Sequence, residues 1–249
     1  MRKSVIFIAL TLMVASSVDA LILSELMNHK PYFARITFRQ VEGNPAVVLN
    51  KAGAIVSSRF VLTTAFYIAN SFDFQIFVGS AFRDHQTQLR GIQLIGLSDR
   101  PDGPALIQTE FPIPFSPNIQ PIRMVPADRS IGMPNEEGMV LGMLPAAGER
   151  LRAVFMRSIS SANCAAYYPG RNVDEVFCAM DSTRGDFCND DRGTAFTVLS
   201  RGEEMLAGIA LEGVCNPVPA PRPSLFVSVA FFRDRINDIL EGRQVGSSN

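Results

Sequence analysis

Residues 53–67, which read GAIVSSRFVLTTAFY, carry the clearest structural signal in this chain of 249 residues. Two short apolar and β-branched runs, 54–56 and 60–62, are separated by the polar residues 57–59. Runs of this length and composition, bounded by turn residues, are typical of β-strands. The stretch therefore favours two neighbouring strands over a helix.

Similar short runs recur along the whole chain, separated by Gly, Asn, Ser or Asp. Residues 34–39 alternate between apolar and polar side chains, which is the period of a half-buried strand. Many short strands at this spacing predict an all-β sandwich or β-barrels. The other runs lie at 46–49, 74–78, 89–97, 105–107, 139–141, 196–199 and 206–211.

One amphipathic helix is predicted at the end of the chain, over about 230–242. Its apolar residues recur at the 3.6-residue period, and Gly242 is a residue typical of a helix end. We expect the face with Phe231, Ile236 and Leu240 to pack inward. Between the two halves of the chain, residues 112–129 contain five prolines and suit a connector.

Composition and charge exclude two broad classes of protein. Hydrophobic residues make up 47% of the chain and charged residues 19%, which is unlike an intrinsically disordered chain. The 23 Lys and Arg residues nearly balance the 24 Asp and Glu residues. This balance gives no electrostatic case for binding nucleic acid.

Residues 1–20 have the features of a secretory signal peptide. Arg2 and Lys3 precede an apolar run, and Val18-Asp19-Ala20 places small residues where a signal peptidase reads them. The run is roughly half the ~20 apolar residues that a membrane-spanning helix needs. We therefore expect a secreted, extracellular protein whose single domain covers residues 21–249.

Four cysteines lie in the second half of the chain: Cys164, Cys178, Cys188 and Cys215. Disulfides are expected in an exported protein, although four cysteines allow three pairings and the sequence alone does not choose among them. Zinc is disfavoured because no two cysteines have the spacing of a zinc knuckle. We expect no metal and no other cofactor.

Motifs in order along the chain resemble those of the chymotrypsin family of serine proteases. Residues 53–67 are similar to the family segment GSIISxRWVLTAAHC. The other matching segments are 31–32 (PY), 105–107 with 112–116 and 119–122 (ALI, PIPFS, IQPI), 177–179 (FCA), 188–193 (CNDDRG) and 223–229 (PSLFVSV).

This resemblance implies an all-β fold of two antiparallel six-stranded β-barrels with a C-terminal α-helix. The first barrel would occupy about 21–120, the second about 121–230 and the helix about 230–242. The resemblance also implies that Cys164 pairs with Cys178, and Cys188 with Cys215. The family's first-barrel disulfide is lost, since Lys51 and Tyr67 occupy its positions, and we expect the burial of aromatic side chains there to compensate.

The residues at the catalytic positions depart from the family. A serine protease needs a hydroxyl nucleophile, an imidazole that takes its proton and a carboxylate that orients the imidazole. The resemblance places Phe66 at the histidine position, Gly103 at the aspartate position and Arg192 at the serine position. A shift of one residue would place Asp102, instead of Gly103, at the aspartate position.

Acidic residues surround the serine position. Asp190 takes the place of the oxyanion-hole glycine, where its charge would oppose stabilisation of an oxyanion. Asp186 matches the aspartate of a trypsin-like specificity pocket that would accept Arg or Lys; the alternative is a chance match in an acidic loop. Asp191 is retained at the position that the activated N-terminus pairs with. We expect Arg192 to pair with one of Asp186, Asp190 and Asp191.

These departures favour a secreted, non-catalytic serine protease homologue that binds a protein partner. The partner would be a protease, a protease substrate or an inhibitor, and the protein would act as a cofactor or decoy in an extracellular cascade or a secreted fluid. Neither nucleic acid nor membrane is expected as a partner. The alternative is an active trypsin-like endopeptidase with a displaced catalytic constellation.

Overall fold

The computed structural model describes residues 30–41, 47–66, 68, 70–79, 86–129, 135–143, 151–181, 192–213 and 222–243. These residues form twelve β-strands and two α-helices. The strands close into two six-stranded antiparallel barrels, which confirms the predicted fold class. Within the described residues, no helix is long and apolar enough to cross a membrane.

The first barrel is built from the first six strands in the order β1-β2-β3-β6-β5-β4. The hairpin of β2 and β3 contains the two apolar runs of residues 53–67. Its strands are β1 (Phe33–Gln40), β2 (Leu49–Ile55), β3 (Phe60–Thr64), β4 (Ser71–Val78), β5 (Thr87–Gly96) and β6 (Pro104–Thr109).

The second barrel follows in the order β10-β11-β12-β9-β8-β7. Its strands are β7 (Glu137–Met143), β8 (Leu151–Ser158), β9 (Val176–Asp181), β10 (Ala195–Ser200), β11 (Glu203–Glu212) and β12 (Ser224–Ser228). Helix α1 (Ser161–Tyr167) precedes β9, and helix α2 (Val229–Leu240) follows β12. The disulfide Cys164–Cys178 joins α1 to β9, which confirms this pairing.

Each barrel has its own apolar core, and a further cluster joins the two. Phe177, Phe196 and Phe226 fill the second barrel, with ring centroids 5.0–5.3 Å apart. The shared cluster brings Leu62 of β3 together with Leu141 and Ile209 of the second barrel. Because this cluster spans both barrels, it fixes the relative position of the loops that meet between them.

Helix α2 begins at Val229 and ends at Leu240, close to the predicted bounds. The expectation that Phe231 faces inward is wrong: Phe231 is 49% exposed, whereas Phe232 and Ile236 are buried. Phe231 instead packs edge-on against Phe232, at 4.9 Å between ring centroids. Phe231 and Phe232 are adjacent in sequence and point to different sides of the helix, so one apolar stripe cannot bury both against a single surface.

Candidate functional site

The candidate site lies where the turn after β3 meets the segment that leads into β10. Arg192 and Gly193 bridge the barrels, because the Arg192 carbonyl accepts from the Ala52 amide at 3.2 Å and the Gly193 amide donates to the Ala210 carbonyl at 2.8 Å. Gly193 has a φ of +86°, and a Cβ there would lie 2.2 Å from the Ala52 carbonyl oxygen. Only glycine fits this crossing.

The side chains of Phe66 and Arg192 are in contact at this crossing. The guanidinium carbon of Arg192 lies 4.1 Å from the centroid of the Phe66 ring, within the range of a cation–π interaction. Its Nε also donates to the Leu211 carbonyl at the end of β11, at 2.8 Å. The structure therefore brings together the two residues that the sequence places at the histidine and serine positions.

Lys51 is buried below this pair, with 4% of its surface exposed. Its Nζ donates to the carbonyls of Thr64, at 2.9 Å, and Phe66, at 2.6 Å. Burial, aided by the positive charge of Arg192, lowers the pKa of Lys51 from 10.5 to about 7. The two hydrogen bonds of the amine link β2 to the end of β3 and to the turn that carries Phe66.

This link occupies the place of the missing disulfide. The sequence predicted that aromatic burial would replace the covalent bond, but Phe66 is only half-buried and Tyr67 lies outside the described residues. The two N–H···O bonds of Lys51 end on the segment just before Tyr67. Sequence reasoning identified the position of Lys51 but missed this role.

Gly103, one of the two candidates for the aspartate position, contributes only its backbone. The Gly103 carbonyl accepts from the Ala65 amide at 2.7 Å, immediately before Phe66. A Cβ at Gly103 would lie 1.9 Å from the Ser98 Oγ, so no side chain fits there without rearrangement. Gly103 therefore supports the Phe66 turn through its main chain.

The carboxylate of Asp102 faces the other barrel. It forms ion pairs with Arg171, which follows α1, and with Arg100, at 3.4 Å. Burial by itself would raise the pKa of Asp102, but the hydrogen bond and charge of Arg171, together with Arg100, hold this pKa below its ordinary value. The partners of Asp102 in the structure are thus two arginines, Arg171 of the second barrel and the nearby Arg100 of the first.

A pair of glycine variants tests the crowding at Gly103. We expect Gly103→Ala to lower the free energy of unfolding by about 1–3 kcal/mol, because its Cβ overlaps Ser98. The matched control is Gly96→Ala, whose Cβ would have its nearest neighbour at 3.8 Å and which should change stability by less than ~0.5 kcal/mol. Urea unfolding measures both, and equal stabilities would show that Gly103 has room for a side chain.

Besides Tyr67, five of the residues singled out in the sequence lie outside the described residues, so the expectations for them remain predictions. They are Asp186, Asp190, Asp191, Cys188 and Cys215. Residues 1–20, interpreted as a signal peptide, are also outside the described part. Among the residues that the structure does describe, no three His, Cys, Asp or Glu side chains are grouped so that they could hold a metal ion.

The fold agrees with the result of comparison with protein families. The family profile described as trypsin matches residues 26–236, which is most of the chain. The chain belongs to the trypsin family. A comparison with curated protein sequences gives no significant match.

Solved structures with the same fold include both an enzyme and an inactivated relative. HL collagenase is 21% identical with a TM-score of 0.71, and the match covers 86% of this chain and 94% of that one. A scabies mite inactivated protease paralogue, S-D1, is 20% identical with a TM-score of 0.68, and covers 86% and 93% respectively. At these identities the likeness concerns the fold.

Proposed function

We propose that this protein is a secreted, non-catalytic serine protease homologue that acts by binding another protein. The observation that carries this proposal is the contact between Phe66 and Arg192. These residues occupy the positions at which the family's histidine and serine would exchange a proton. Here a permanent cation lies against a phenyl ring, at 4.1 Å from its centroid.

Neither side chain can perform the step that peptide hydrolysis needs. A phenyl ring has no lone pair with which to accept a proton, and a guanidinium stays protonated and is not a nucleophile. Among the described residues, Lys51 has a pKa near neutrality, but its Nζ is buried and already donates to two carbonyls. The arrangement supports a role in binding over a role in hydrolysis.

The family relationship supports the extracellular part of this proposal. The signal-peptide features of residues 1–20 support secretion, and the disulfide Cys164–Cys178 suits an oxidising compartment. One structural neighbour is named as an inactivated protease paralogue, which indicates that this fold can persist without catalysis. We infer a role as a cofactor or decoy that engages a protease, a protease substrate or an inhibitor.

A fluorophosphonate probe separates this proposal from an active endopeptidase with a displaced catalytic constellation. The probe reacts with activated serines, and active trypsin serves as the positive control. We expect no covalent labelling of the native protein by intact-mass spectrometry. Stoichiometric labelling that is lost after denaturation would establish the enzyme and overturn the proposal.

The variant Phe66→His tests the site directly. An imidazole alone should create no amidase activity, because Arg192 supplies no nucleophile and Gly103 supplies no carboxylate. The variant should also unfold more readily, since a cation–π contact of this kind contributes about 0.5–2 kcal/mol. Hydrolysis of an arginyl anilide by Phe66→His above the rate of native protein would show that the site is misinterpreted.

A further inference from the structure

The guanidinium of Arg192 is held in one orientation by two contacts. One face lies over the Phe66 ring at 4.1 Å, and Nε donates to the Leu211 carbonyl at 2.8 Å. Because Nε makes this bond, Nη1 and Nη2 form the edge at which a carboxylate can pair, whether that of a ligand or, as the sequence predicts, that of Asp186, Asp190 or Asp191. An arginine fixed in this way has already lost much of the side-chain entropy that binding would otherwise cost.

The surroundings of Arg192 contain a second basic group, the buried amine of Lys51. Lys51 lies beneath the same turn, and its Nζ is 5.9 Å from the centroid of the Phe66 ring on which Arg192 stacks. The charge of Arg192 contributes to lowering the pKa of Lys51, which shows that the two groups are within electrostatic reach. An anion at the Nη edge of Arg192 would relieve this repulsion.

We propose that Arg192, stacked on Phe66 and backed by Lys51, is an anchor for a carboxylate of a partner polypeptide inserted between the two barrels. The inference rests on the proposed function, since it gives a non-catalytic site its ligand chemistry. A guanidinium edge and a carboxylate match in shape and form two parallel N–H···O bonds. The half-buried position strengthens the pair, because water screens it less than it would at the surface.

The carboxylate can come from an acidic side chain or from a chain terminus. Isothermal titration calorimetry with three short probes distinguishes these sources: Ac-Ala-Ala-Glu-Ala-NH2, its Gln counterpart, and Ac-Ala-Ala-Ala with a free C-terminal carboxylate. We expect saturable binding of at least one carboxylate probe. Its affinity should exceed that of the Gln peptide by at least tenfold.

Three variants assign the binding to this site. Arg192→Gln should weaken binding of the carboxylate probe at least tenfold, and Phe66→Leu several-fold, since it removes the stacking surface and keeps the charge. The control is Arg100→Gln, which removes a cation that is 47% exposed and should leave the affinity unchanged. Thermal unfolding of each variant, compared with that of the native protein, tests whether a loss of binding comes from a loss of fold.

Several results would overturn this proposal. Equal affinity for the Glu and Gln peptides would remove the role of charge, and unchanged binding by folded Arg192→Gln would remove the role of Arg192. No binding of any carboxylate probe would indicate that a carboxylate of this chain, such as Asp190, already occupies the edge. Fluorophosphonate labelling together with carboxylate binding would reject the proposed function and leave the anchor standing.

Discussion

Glu204→Ala is expected to lower the free energy of unfolding at pH 7 by about 2–4 kcal/mol, because it removes a partly buried carboxylate that is 29% exposed and accepts three hydrogen bonds. The carboxylate of Glu204 receives hydrogen bonds from Lys30 Nζ at 2.7 Å, the Tyr32 hydroxyl at 2.7 Å and the Thr197 hydroxyl at 2.8 Å. Removing it leaves the amine of Lys30, whose side chain is 11% exposed, without its carboxylate.

This cluster joins the two barrels through residues that lie far apart in the sequence. Lys30 and Tyr32 lead into β1 of the first barrel, whereas Thr197 and Glu204 lie on β10 and β11 of the second. Loss of the carboxylate therefore weakens the packing between barrels in addition to the local hydrogen bonds. A partly buried polar network of this kind is costly when one member is missing.

Glu203→Ala is the matched control for Glu204→Ala. Glu203 is the neighbouring residue and pairs with Arg123, but both side chains are well exposed, at 44% and 70%. An exposed pair contributes about 0–1 kcal/mol. Chemical unfolding of the two variants should therefore give clearly different losses, and similar losses would show that the buried cluster is not a major contribution to stability.

The stabilisation by Glu204 should also depend on pH. Burial by itself would raise the pKa of Glu204, but the hydrogen bonds from Lys30 and Tyr32 and the charge of Lys30 hold it below 4.5. The unfolded chain therefore binds the proton more readily than the folded one. The stabilisation is present above pH 4.5 and is lost as the pH falls through the folded pKa, so the native and Glu204→Ala stabilities should converge in acid.

The sequence predicted the fold well because its signals are local. Period-two runs such as that of residues 34–39 specify strands, and the ordered motifs around residues 53–67 and 223–229 specify how the strands are arranged. The pairing of Cys164 with Cys178 followed from the resemblance. The exposure of Phe231 could have been predicted from helical periodicity, because Phe232 lies four residues before Ile236 and shares its face, whereas Phe231 lies five residues before it.

The contacts of the candidate site were harder to predict because they join distant parts of the chain. Asp102 and Arg171 are 69 positions apart in the sequence. Arg192 and the Leu211 carbonyl are 19 positions apart, and only the folded barrel brings them into contact. Lys51 is the clearest case. A lysine in a strand is usually exposed, and its burial depends on the carbonyls of a turn more than ten residues away.

The burial of Lys51 makes the free energy of unfolding increase with pH above neutrality. The pKa of Lys51 falls from 10.5 in the unfolded chain to about 7 in the folded protein. Between these values the unfolded chain binds one more proton than the folded protein, so the free energy of unfolding rises with pH. The slope is roughly 1.4 kcal/mol per pH unit, which gives a gain of about 2–3 kcal/mol from pH 7.5 to 9.5.

Lys51→Met should remove this rise and leave a nearly flat stability over the same interval. The tyrosines that are perturbed do not interfere, because burial raises the pKa of Tyr32 well above 10 and that of Tyr168 to about 12. The matched control is Lys30→Met, which removes another lysine and whose free energy of unfolding should still rise from pH 7.5 to 9.5. Urea unfolding at pH 7.5, 8.5 and 9.5 measures all three proteins. A flat profile for the native protein, or an equal rise in Lys51→Met, would show that the amine of Lys51 is not buried as a base.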